Sequence, residues 1–181
     1  MLNHPDLEIR NDSRIIISGP NGSGKTSLLK HILGTMNTAG LKHWYLPQEL
    51  SSHDIIAAFG ELKSLNEKEK GAALSVIYRL GSEPRAFFDA HDISPGEAHK
   101  LCFSFAVLQG VSLVLLDEPT NYMDSVSTMS LADAIREYAG AVVIITNDTV
   151  FARKTGEIVW ELERKENTGW LVISHTKVDI L

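Results

Sequence analysis

At 181 residues, 44% hydrophobic and 22% charged, the chain has the length of a single domain and an ordinary globular composition, which argues against disorder. A net charge of -6 argues against a sequence-independent grip on nucleic acid through bulk charge. No apolar run approaches the ~20 residues that cross a bilayer, and the opening "MLNHPDLEIRND" lacks the apolar core of a secretory signal, so a soluble, cytoplasmic protein with no direct membrane insertion is expected.

Residues 14–19, "RIIISG", are a β-branched run closed by glycine and predict a buried parallel strand. After "GPNGSGKT", the segment "SLLKHIL" has helical spacing, with Gly34 as its expected stop. Residues 42–47, "KHWYLP", predict a second strand. Residues 49–93 change character, and "SHDIIAAFGELKSL", "NEKEKGAALSVIYRL" and "SEPRAFFDA" predict three helices forming a helical subdomain. A helix follows from Ser94, where Ser94 suits the N-cap, Pro95 the first helical position, and Glu97 the third place of a capping box. It runs on through "LCFSFAVL", where the only cysteine, Cys102, can form no internal disulfide and reads as a buried, inert thiol. Residues 111–117, "VSLVLLD", are the strongest strand in the chain. Residues 126–138 are helical with Gly140 as cap, and residues 141–146, "AVVIIT", form another buried strand. The tail predicts a hairpin of residues 157–163 and 170–174 around the turn "ENTG". The alternation of strands and helices predicts an α/β P-loop fold with a mostly parallel sheet flanked by helices. Its ligand is expected at the carboxyl ends of the strands.

The run Gly19, Pro20, Asn21, Gly22, Ser23, Gly24, Lys25, Thr26 fits G-x-x-x-x-G-K-[ST], and it lies between a predicted strand and a predicted helix. Glycines in such a loop let successive N–H groups turn towards phosphate oxygens. The helix that follows, from Ser27 on, aims its positive end at the same anion. Lys25 is then expected on the β- and γ-phosphates of a nucleotide, and the Thr26 hydroxyl on Mg²⁺. In "LVLLDEPTN", Asp117 ends the strongest strand, where P-loop NTPases place an acidic Mg²⁺ residue. Glu118, one residue further, is the candidate general base for an attacking water.

These features together resemble the nucleotide-binding domain of the ABC ATPase superfamily, over nearly the whole chain. "GPNGSGKTSLLK" resembles its Walker A motif, "LVLLDEPTN" its Walker B motif, and "ISPGEAHKL" its signature, usually written LSGGQ. Gln48 falls where the family has its Q-loop glutamine, and Asp124 where it has the D-loop aspartate. "DEPTNYMD" and "SPGEAHK" are most similar to the second domain of ABC-F proteins, with Tyr122 and Met123 replacing His and Leu. The resemblance implies ATP and Mg²⁺, hydrolysis of ATP, and a nucleotide sandwiched between two domains. Residues 1–181 would be one such domain, joined to a second ABC domain in a homodimer or a tandem. Lys25, Thr26, Ser27, Gln48, Asp117 and Glu118 would then act within one domain, with Mg²⁺ on Thr26, Gln48 and Asp117. Ser94, Gly96 and the helix start would serve the nucleotide of the other domain, and Glu97 and Asp124 would also belong to the nucleotide-binding set. It further implies a link to the ribosome, translation or antibiotic resistance.

Two departures from the family pattern matter. Only 18 residues precede Gly19 and none is aromatic, so the platform that stacks on adenine is missing and the domain is expected to be short at its N-terminus. The family's switch histidine aligns with Asn147, whose amide donates a hydrogen bond but carries no charge, which implies slow hydrolysis. A non-hydrolysing nucleotide-gated module and the ATPase subunit of a transporter stand as the rival readings. His31, His43, His53, His91, His99 and His175 show no metal-ligand spacing. Trp44, Tyr45, Trp160 and Trp170 read as packing residues.

Overall fold

The computed structural model describes residues 2–3, 6–85, 87, 93–165 and 169–176. Its strands are β1 (Leu2–Asn3), β2 (Arg14–Ser18), β3 (His43–Leu46), β4 (Leu113–Asp117), β5 (Ala141–Ile145), β6 (Ile158–Lys165) and β7 (Gly169–Thr176). Its helices are α1 (Lys25–Ala39), α2 (Ser52–Ser64), α3 (Glu67–Arg79), α4 (Pro95–Gln109), α5 (Ser125–Glu137) and α6 (Thr149–Thr155). The strands form one sheet in the order β1-β7-β6-β2-β5-β4-β3. Every pairing is parallel except β6 with β7, the expected closing hairpin. β4 lies between β3 and β5, and β2 between β5 and β6, so the P-loop and the acidic strand end emerge from the same edge of the sheet.

Side chains alternate across a strand, and this alternation splits the core in two. Ile15, Ile17, Leu113, Leu115, Val143 and Ile145 face Leu28, Leu29 and Ile32 of α1. Ile16, Val114, Leu116, Val142 and Ile144 face the other way, onto Ala73 and Ile77 of α3, Leu101 and Phe105 of α4, and Leu131 and Ile135 of α5. α4 is apolar nearly all round because it runs through the middle of that second layer, with Gly96 and every residue from Ala98 to Ala106 buried. Cys102 is among them, and burial pushes its thiol up to about 12, so it stays protonated and inert as expected. Arg14 ties the two ends of the layer together: its buried guanidinium donates to the carbonyls of Ile135, Tyr138 and Gly140. The cation there meets the negative end of α5.

Several boundaries differ from expectation. α1 runs past Gly34 to Ala39 and ends at Gly40, whose φ of 67 places it in the left-handed region. A mid-helix glycine costs only about 1 kcal/mol, less than the packing of the preceding turns returns. Gly140 does not cap α5; Tyr138 does, and Gly140 instead passes so close to the Val111 and Ser112 carbonyls that a Cβ would lie 2.7 and 2.9 Å from them. Ser94 accepts the Glu97 N–H at 3.2 Å, but Glu97 turns its carboxylate to Lys100 instead of back to Ser94, so the capping box is half made. Full boxes start α2, between Ser51 and Asp54, and α3, between Asn66 and Glu69. α6 was not expected; its signal was Asp148, which caps it by accepting from Val150 and Phe151. Among the described residues of 49–93 two helices are present; of the third expected one, over residues 82–90, residues 86 and 88–90 lie outside the described residues, as does most of the "ENTG" turn. Trp44 packs against Phe105, Tyr45 against the α1 layer, and Trp160 is buried; the Trp170 side chain lies outside the described residues. Among the described residues no helix is long and apolar enough to cross a membrane.

Candidate nucleotide site

A cavity of about 630 Å³ opens at the carboxyl ends of the parallel strands, where the alternation of strands and helices places a ligand. The loop between β2 and α1 supplies Asn21, Gly22 and Gly24 to its wall, and the first turn of α1 supplies Lys25, Thr26 and Ser27. β4 ends in Asp117, with Glu118 next to it on the facing wall; Gln48 follows β3, and Asn147 follows β5. Gly19, Pro20 and Ser23 form the back of the loop. Gly19 has φ 142 and sits so near Leu162 that a Cβ would lie 2.9 Å from its carbonyl oxygen. Ser23 is buried with its hydroxyl unpartnered. The Lys25 ammonium donates to the Gly19 and Pro20 carbonyls at 2.8 and 3.2 Å, which holds the loop in a closed ring.

The Thr26 hydroxyl donates to Asp117 Oδ2 at 3.1 Å, so two oxygen donors from opposite walls meet. Burial pushes the Asp117 carboxyl above its ordinary range, while the Thr26 hydroxyl, Lys25 and Lys30 pull it back. Glu118 is the one non-glycine residue at positive φ among those described, at 49. Such a backbone is strained for glutamate and persists only where neighbours enforce it. Here the Glu118 N–H donates to the Ile145 carbonyl at 2.8 Å. Its carboxylate accepts from the Asn147 backbone N–H at 3.2 Å and from Asn147 Nδ2 at 2.5 Å. Burial raises the Glu118 carboxyl most; the Asn147 backbone N–H and Lys25 oppose it, and neighbouring Asp117 adds to the rise.

Besides Gly19, Pro20 and Ser23, four expected site residues are not part of this wall. Ser94, Gly96 and Glu97 open α4, and Asp124 caps α5 by accepting the Ser127 N–H at 2.7 Å, which holds its carboxyl below the ordinary range. Thr120, Asn121 and Asp148 line the cavity without having been singled out; the first two stand inside "DEPTN", which was the available signal. A second cavity, about 480 Å³, lies at the amino ends of β4 and β5. Its charged pair, Arg79 and Glu137, is exposed and the two side chains satisfy each other, whereas the first cavity gathers a lysine, a threonine and two carboxylates, so the chemistry points to the first cavity.

The profile of the family described as ABC transporter matches residues 2–121. ATP-binding cassette sub-family F member 2 of Mus musculus is 28% identical, covering 94% of this chain and 29% of its own length. Ribosome protection protein VmlR of Bacillus subtilis is 29% identical over 86% of this chain and 30% of its own. The chain therefore spans about a third or less of these relatives. Among solved structures, an ATP-binding cassette captured as a dimer in a post-hydrolysis state with ADP and Pi aligns at TM-score 0.70 and 20% identity. That alignment covers 96% of this chain and 89% of the other, a likeness of fold. A phosphate loop facing an acidic strand end, on a sheet shared with that cassette and under a profile matching most of its length, identifies the chain as an ATPase domain belonging to the ABC transporter family.

Proposed function

We propose that this chain is an ATP-hydrolysing domain of a soluble, cytoplasmic ABC-F-like protein. Its ATP would be enclosed between two such domains, and its parent would act on the ribosome, in translation or antibiotic resistance. In this reading residues 1–181 are one domain and residues 49–93 its helical part. The observation that carries it is the meeting of Lys25, Thr26, Asp117 and Glu118 around one cavity at the carboxyl ends of parallel strands.

The adjacent Thr26 hydroxyl and Asp117 carboxylate are hard oxygen donors of the kind Mg²⁺ takes, and Gln48 completes the set from β3. Magnesium, when bound with nucleotide, neutralises phosphate charge. Inward N–H groups of Asn21 to Ser27 and the start of α1 bind the phosphates, and Lys25 supplies the matching positive charge. Glu118, raised by burial, accepts the proton of the attacking water. Asn147 competes with that role because its two N–H groups already engage the carboxylate, which supports slow turnover. Ser94, Gly96, Glu97 and Asp124 lie away from this cavity's wall, as groups serving a partner's nucleotide would. The dimeric cassette with ADP and Pi supports that pairing, and the ribosome protection protein supports the ribosomal link.

The Asn147 clamp also favours a second reading, a module that binds nucleotide without hydrolysing it and gates a partner by pairing. Phosphate release by the unaltered protein and Glu118→Gln separates the two. Magnesium-dependent turnover that disappears with glutamine supports hydrolysis, and equal background rates support the gate.

A further inference from the structure

His99 lies in α4 five residues beyond Ser94, is 1% exposed, and joins the first turn of its own helix to two segments that border the nucleotide cavity. Its Nδ1 faces the Pro95 carbonyl at 2.8 Å, one turn back in its own helix. Its Nε2 faces the Pro47 carbonyl at 3.1 Å, immediately before the cavity-lining Gln48. Its ring stacks on Tyr122, with centroids 5.8 Å apart and planes at 25°, immediately after the cavity-lining Asn121. Tyr122 also presses its carbonyl against Gly96, where a Cβ would lie 2.3 Å away. The other side of the first turn is held by Lys100, which donates to Ser82 at 2.7 Å and Glu97 at 3.0 Å.

We infer that His99 is a positioning residue that couples the Gln48 loop and the Asn121–Tyr122 turn to the start of the Ser94 helix. Imidazole presents nitrogens on opposite edges of a flat ring, so one side chain spans two carbonyls while stacking. A neutral ring donates to one of them and an imidazolium to both. A packed, buried link of this kind transmits a shift of Pro47 to Pro95 instead of absorbing it. Occupancy beside Gln48 therefore moves or stiffens the first turn of α4. The coupling rests on the nucleotide reading of the cavity.

The test is hydrogen exchange of the full chain with and without ATP and Mg²⁺, alongside calorimetric nucleotide binding. In the unaltered protein, nucleotide slows exchange in the segment after β3 and in the first two turns of α4 together. His99→Phe keeps a flat ring on Tyr122 without a donor. It is expected to leave nucleotide affinity within about twofold and keep loop protection, while α4 protection falls by about fivefold. His99→Gln restores a donor and most of that response. An α4 response in His99→Phe equal to the unaltered protein overturns the inference. So does a loss of α4 protection that is the same with and without nucleotide, the mark of a merely structural residue. Absence of calorimetric binding by the unaltered protein overturns the nucleotide reading itself, and the coupling falls with it.

Discussion

Asn147 and Glu118 show how one substitution changes the chemistry available at a strand end. An amide whose backbone and side-chain N–H groups both reach the same carboxylate stabilises its charged form, which lowers its basicity. Histidine at this position can carry positive charge next to a phosphate, which asparagine cannot. Asn147→His is expected to raise turnover by roughly tenfold or more, read as steady-state phosphate release; an unchanged rate removes Asn147 from the account. Asp117 makes a second residue-scale prediction through stability. Its folded-state carboxyl is raised by burial, so the folded protein keeps that proton to higher pH than the unfolded chain. Its contribution to stability therefore falls as pH climbs from the ordinary carboxylate range through the raised value, and the cost remains above it. Asp117→Asn should stabilise the nucleotide-free protein at pH 7. The gain should fade as pH falls to the carboxylate range, and magnesium-dependent nucleotide binding should weaken. Thermal melts across pH provide the check, and a gain independent of pH would show that the buried charge is not its source.

At the scale of elements, α4 meets two demands at its first turn. Ser94 caps it and Pro95 begins it, as any well-made helix start requires. Gly96 answers a different need, the close approach of the Tyr122 carbonyl. The sequence showed a glycine in a signature-like motif, and motif and packing both account for it; only the neighbouring chain segment reveals the second. Gly96→Ala must push α4 and the Tyr122 turn apart, and a loss of roughly 1–3 kcal/mol is expected in denaturant unfolding. A loss below about 0.5 kcal/mol would mean that the turn yields freely. β2, β4 and β5 were legible because strands buried on both faces are unbroken apolar runs. The α1 end and the Gly140 position were not, because a glycine's role depends on what lies near it and on the φ it adopts. The short α6 was missed because its cap, Asp148, lies only three residues beyond the end of β5 and its seven residues carry little periodicity.

For the whole molecule, the separation of α4 and α5 starts from the cavity wall is the feature with a consequence for assembly. If Ser94, Gly96 and Asp124 serve a partner's nucleotide, Glu118→Gln in ATP and Mg²⁺ should elute from gel filtration at twice the mass of the nucleotide-free protein. Persistent monomer would sink the paired site for this chain. The class of the fold and the phosphate loop can be read from the order of residues. Both are written in contiguous residues whose local geometry is their function: β-branched runs, glycines that allow inward N–H groups, and a lysine and threonine opening a helix. Tertiary structure alone decided that Thr26 meets Asp117, that Asn147 clamps Glu118, and that His99 bridges the Gln48 loop and the Ser94 helix. Those contacts join residues that parallel strand order brings side by side, and hydrophobic burial that builds the sheet, not local preference, sets their distances.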